Sequence, residues 1–146
     1  MKSSLLKTET IMFIVMIIVG MLFNPMNVLA YRLSDLYPSL TLFYGGLLMA
    51  SNMIWAHEIV HLLSIRHFNK VRFFSGVLLS VTISILLLRN QLFVDDKQWL
   101  KRMISHHSTA LTTSHKIYSK TNNPELKKLA KDIIETQERE LSLIHI

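Results

Sequence analysis

Apolar residues fill long unbroken runs through the first ninety positions and then, from Asp95 onward, fall into a period of about 3.6. The first run, IMFIVMIIVGMLF, covers 11–23 and continues through Asn24-Pro25 toward Ala30. A second extends from about Leu40 to Leu63, with Tyr37-Pro38 before its start as a helix-starting signal. A third, FFSGVLLSVTISILLL, covers 73–88 between Arg72 and Arg89. A bilayer core is crossed by about twenty helical residues, so the pattern predicts spans at about 9–29, 39–64 and 72–90 within a membrane region, 1–92. Val28 and Ala30 fit the small-residue rule for signal-peptide cleavage, but the run is long for that role and a retained helix is expected.

The remaining segment, 93–146, reads as two amphipathic helices. Asp95 and Asp96 are N-terminal caps for a helix to about Lys120, and Asn123-Pro124-Glu125 is a second start signal of cap, first-turn proline and first-turn acid. Trp99, Met103, His107, Ala110, Leu111 and Ile117 share one face of the first helix. Leu126, Leu129, Ala130, Ile133, Ile134, Gln137, Leu141 and Ile144 share one face of the second. The short polar link between them predicts an antiparallel hairpin. The fold class is therefore all-α.

Charge refines this picture. The net charge of +6 would suit nucleic acid, but the basic residues flank apolar runs or alternate with acids, so no nucleic-acid partner is expected and membrane lipid is the surrounding medium. Lys2 and Lys7 precede the first span, and Arg66, Lys70 and Arg72 separate the second from the third. This asymmetry predicts a cytoplasmic N-terminus and a C-terminal hairpin on the periplasmic or extracellular side. Cysteine is absent, which excludes disulfides and thiolate metal sites. Gly46 with Ala50, and Gly76 with Ser80 and Ser84, form stripes of small residues that let membrane helices approach closely.

Two groups of residues carry candidate chemistry. The stretch HEIVHLLSIRH, 57–67, matches the zinc-protease pattern HExxHxxGxxH except that Ser64 replaces the glycine. It lies at the end of a predicted span, and the third run has no Asp, Glu or His to complete an intramembrane protease site. The expected role is a polar helix end, with His57, His61 and His67 as a minor metal site, zinc being the less favoured ion, and no enzymatic activity.

The second group lies in the hairpin. Positions whose numbers sum to about 244 should stand level across it, pairing His107 with Gln137 and Met103 with Glu140. Polar groups within an apolar stripe need partners, which can be one another or an ion. Met103, His106 and His107 offer thioether and imidazole donors, which suit soft or borderline metals and copper in particular. The plainer alternative is a satisfied core histidine beside an exposed one, since adjacent helical residues point about 100° apart.

The series Met103-Ile104-x-His106-His107-x-x-Ala110 and Pro124-Glu125-Leu126-Lys127-x-Leu129-Ala130-x-x-Ile133-Ile134-x-x-Gln137-x-x-Glu140 resembles the domain of unknown function 305, a ferritin-like helical domain. The likeness covers about Trp99 to Ile144, and three spans followed by this hairpin are similar to a membrane-bound branch of that family. The resemblance implies copper or silver held by His and Met outside the cytoplasm, with Met103, His106 and His107 matching the histidine-rich motif and Gln137 and Glu140 matching the second helix. It also implies self-association of hairpins, and two would complete a four-helix bundle in a homo-oligomer. No Glu-x-x-His pair of a di-iron bundle is present, so an oxidase is not expected. The first reading is thus a membrane protein that binds a transition metal, for metal handling or resistance. A metal-free structural or assembly protein is the second, and an intramembrane zinc metalloprotease the third.

Overall fold

The computed structural model describes residues 2–144, and no strand occurs among them. In chain order the helices are α1 (Lys2–Leu22), α2 (Pro25–Val28), α3 (Leu40–Ile65), α4 (Lys70–Thr82), α5 (Asp96–Lys120) and α6 (Pro124–Ile144). A 3-10 turn occupies Leu33–Asp35, and Ile83–Arg89 continues α4 as a π-helix. The described residues form two compact units: α1 with 40–94, and 23–39 with the hairpin of α5 and α6.

In the first unit α3 packs against α1 and α4 through small residues. A Cβ at Gly46 would lie 2.7 Å from the carbonyl oxygen of Ile17, and one at Gly20 would lie 3.0 Å from the Cα of Gly46. On the other side of α3, a Cβ at Gly76 would lie 3.0 Å from the amide nitrogen of Trp55. Ser80 Oγ sits 3.0 Å from both Ser51 Oγ and the Gly76 carbonyl, so the polar atoms at this contact are satisfied in place. The expected stripes do bring backbones together at Gly46, Ala50, Gly76 and Ser80, which are all buried, whereas Ser84, in the π-helix, is only partly buried. Gly20, their counterpart on α1, stands alone among large residues and carried no such signal in the sequence.

Among the described residues two segments, Lys7–Val28 and Lys70–Arg89, are long and apolar enough to cross a membrane. Only 6 % of the first segment's apolar window and 17 % of the second's are buried within the protein, which is unlike the core helices of a water-soluble domain. Val71, Phe74 and Leu78 form an outward stripe and expose 79, 64 and 67 % of their surface. The helix expected as the middle span is long, at 26 residues, but Asn52, His57, Glu58 and His61 lower its apolarity and it is not among the two.

The second unit is built on the capped hairpin that the sequence predicts. Asp95 Oδ1 accepts from the Gln98 amide at 2.8 Å, and Asn123 Oδ1 accepts from the amides of Glu125 and Leu126 at 2.9 and 3.2 Å. These bonds satisfy amides that a helix start otherwise leaves without partners. Ile104, Leu111 and Leu141 make the buried core, with Ile134, Ile144 and Tyr37 packed against it.

Tyr37 belongs to a segment that the sequence reading treats as a connection between spans. Residues 23–39 instead lie along α5. The Tyr31 amide donates to Ser108 Oγ at 2.7 Å, and Ser108 Oγ donates to Asp35 Oδ2 at 2.6 Å. Ser105 Oγ donates to the Asp35 carbonyl at 3.1 Å, and Thr109 Oγ1 donates to the Met26 carbonyl at 3.1 Å. Tyr31 also stacks on His115, with ring centres 5.0 Å apart. Three hydroxyl side chains within five positions of α5 leave room for the segment and supply its buried polar groups with partners; Asp35 is only 1 % exposed.

Candidate functional site

Across the hairpin, His107 Nδ1 lies 3.1 Å from Glu140 Oε2. The contact has the separation of an ion pair but not the direction of a hydrogen bond, so the buried Nδ1 has no hydrogen-bond partner. Gln137 Oε1, one turn back along α6, is also buried without one. His107 was expected level with Gln137, but its partner is Glu140, one turn farther from the link. Helical side chains lean toward their own N-terminus, so in an antiparallel pair His107 leans away from the link and Glu140 leans toward it.

His106 is exposed, and its ring meets that of His107 edge-on with centres 5.9 Å apart. Partial desolvation first, then the positive charge of Arg102 and the neighbouring His107, hold the His106 pKa below its ordinary value of 6.5. The neutral imidazole, the form that ligates metals, is therefore favoured. Met103 is half-buried one turn before His107 on α5. The His107–Glu140 contact and the ring contact thus join His106, His107 and Glu140, and neither includes Met103 or Gln137.

Donor chemistry and spacing at this point suit an ion. A nitrogen and an oxygen each ~2.0–2.2 Å from a metal, at angles between square and tetrahedral, lie ~2.9–3.5 Å apart. The separation of His107 Nδ1 and Glu140 Oε2 is within that range. Glu140 is half-exposed, which leaves a route for an ion and for water ligands.

The second group is at the C-terminal end of α3. His57, Glu58 and His61 each offer a ligand atom, and these atoms lie within 4.8 Å of one another. The two imidazole centres are 4.1 Å apart, and His57 Nδ1 is buried without a hydrogen-bond partner. Glu58 is 1 % exposed; its Oε1 pairs with Arg72 Nε at 3.3 Å, and its Oε2 accepts from the Asn69 amide at 3.0 Å. Arg72 also pairs with Glu9 at 2.7 Å, so the network ties α1, α3 and α4. The histidines are visible in the spacing of the sequence, whereas Arg72 and Glu9 are not, because their approach depends on helix packing. His67 does not join the group: α3 stops at Ile65, Arg66 turns the backbone to a φ of 54°, and His67 is exposed beyond it.

Residues 88–145, which include α5 and α6, match the family described as "Domain of unknown function (DUF305)". The chain is also similar to "Uncharacterized protein L153" of Acanthamoeba polyphaga mimivirus, 35 % identical over 122 residues that cover 82 % of this chain and 77 % of the relative. No solved structure matches.

Proposed function

Since the chain belongs to the DUF305 family, we propose that it is a three-span membrane protein whose C-terminal hairpin binds a transition-metal ion, copper by donor chemistry, for metal handling or resistance. His106, His107 and Glu140 are the principal ligands, and Met103 and Gln137 complete or orient the shell. The observation that carries this reading is the 3.1 Å approach of His107 Nδ1 to Glu140 Oε2, with that Nδ1 and the nearby Gln137 Oε1 both buried without hydrogen-bond partners.

Chain connectivity supports the membrane arrangement. Residues 23–39 and the hairpin make one unit, so both belong on one side of the bilayer. The chain between them then crosses an even number of times. With Lys70–Arg89 as one crossing, α3 supplies the other despite its polar end. The basic residues around the α3–α4 link favour the cytoplasm for that link, which leaves the hairpin outside.

Copper titration of the full chain in mild detergent tests the site. The unaltered protein should take up copper, and replacing His106 and His107 together by alanine should abolish that uptake. Unchanged stoichiometry in the double variant rejects the assignment.

A second reading, a metal-free assembly module, draws on the hairpin's outer surface, where Trp99, Leu129 and Leu143 are 51, 54 and 68 % exposed. These residues suit pairing with a second hairpin into a four-helix bundle. An oligomer whose mass and melting temperature ignore added copper favours this reading.

A further inference from the structure

The residues at the C-terminal end of α3 hold a second donor set, unrelated to the hairpin. Two histidines one helical turn apart present their rings on one face of a helix. Their nitrogens and a Glu58 oxygen fall within 4.8 Å, close enough for a small rotamer change to bring all three onto one ion.

Three further observations point to a cation. His57 Nδ1 is buried and lacks a hydrogen-bond partner, although an imidazole nitrogen out of water ordinarily has one. The joined ionic groups Glu9, Arg72 and Glu58 comprise two carboxylates and one guanidinium, a net charge of −1 in a partly desolvated place, which a divalent ion would offset. A cavity of about 330 Å³ opens at His57 and Arg72 between Glu9, Met12, Phe13 and Met53, with room for water on an ion's remaining positions.

We propose that His57, His61 and Glu58 form a binding site for a borderline divalent transition-metal ion of the zinc class. The donors are two imidazoles and a carboxylate with no sulfur, a set that suits zinc rather than copper(I), and fewer oxygens than magnesium or calcium requires. Binding rather than hydrolysis is the role the geometry supports. Glu58, whose oxygens also hold Arg72 and the Asn69 amide, is itself a ligand in this set and so is not free to serve as the general base of a hydrolytic site. Each oxygen retains a second lone pair for the ion. A bound ion would fasten the end of α3 and, through Arg72, the ends of α1 and α4.

The test uses the full chain carrying His106→Ala and His107→Ala, so that the hairpin site is silent and the two proposals stand or fall separately. After chelator treatment and dialysis in mild detergent, Zn2+ is titrated calorimetrically, with Mg2+ as the comparison. One Zn2+ should bind per chain, Mg2+ should not, and adding His57→Ala with His61→Ala should weaken Zn2+ binding at least a hundredfold. Absence of saturable Zn2+ uptake, or equal uptake after those two substitutions, overturns the proposal. If that variant loses helix by circular dichroism, the single change His61→Gln decides: weakened Zn2+ binding and loss of the visible bands of tetrahedral Co2+ support the site, and parent-like titration and spectrum reject it.

Discussion

Replacing Ser108 by alanine should detach residues 23–39 from α5 while leaving the hairpin folded. In the native chain one fully buried hydroxyl accepts from the Tyr31 amide at 2.7 Å and donates to the Asp35 carboxylate at 2.6 Å. The substitution removes both bonds and supplies no replacement. A hydrogen bond to a charged group contributes about 1.5–3 kcal/mol, and an ordinary hydrogen bond such as that of the Tyr31 amide about 0.5–1.5 kcal/mol. Asp35 keeps Ser34 at 3.4 Å, and water can enter the space of the lost oxygen, so the combined loss is placed at about 3 kcal/mol. That is on the order of a hundredfold in the opening equilibrium of the segment. Hydrogen exchange by mass spectrometry on the full chain in detergent reads it directly, through the peptide containing Tyr31. Ser119→Ala is the control, because Ser119 is exposed and bonds only to the Lys116 carbonyl one turn away on its own helix. Exchange in the Ser108 variant within twofold of the parent would refute the bridging role of this hydroxyl.

Two further outcomes follow from the packing and the charges. Gly46→Ala puts a methyl 2.7 Å from the backbone oxygen of Ile17, which cannot rotate away, and should cost about 1–3 kcal/mol in a detergent unfolding titration. Gly45→Ala should be neutral, since nothing lies within 4 Å of the added carbon; equal midpoints for the two variants would show that α1 and α3 do not approach as described. In the metal-free chain, the depressed His106 pKa means that the unfolded state binds more protons below about pH 6.5, so its contribution to stability is full above that pH and declines as pH falls through the unfolded value toward the folded one. Denaturation midpoints at acid and neutral pH should therefore differ less in His106→Gln than in the parent.

The hairpin was legible in the sequence because its signals are local. Asp95 and Asn123 announce helix starts within three residues, and the caps form where that chemistry says they should. The stripes at Gly46 and Gly76 were legible too, since a period of four with small side chains has few other uses in an apolar helix. What was not legible depends on contacts far apart in the chain. Asp35 reads as an ordinary loop acid until Ser105 and Ser108, 70 and 73 positions later, are brought to it. Arg72 reads as an orientation signal, whereas its guanidinium also joins Glu9 to Glu58. The one-turn offset between His107 and Glu140 escaped a count of levels because counting ignores the lean of helical side chains.

The lining of α5 by residues 23–39 also fixes an order of events during synthesis. Those residues leave the ribosome long before the serines that receive them, and α3 and α4 are made in the interval. Asp35 therefore meets Ser105 and Ser108 only after α3, α4 and the first part of α5 have been made. A fragment begun at residue 93 would fold its two helices yet present Ser105, Ser108 and Thr109 as a vacant trough, so an excised tail is an incomplete version of the unit found in the whole chain.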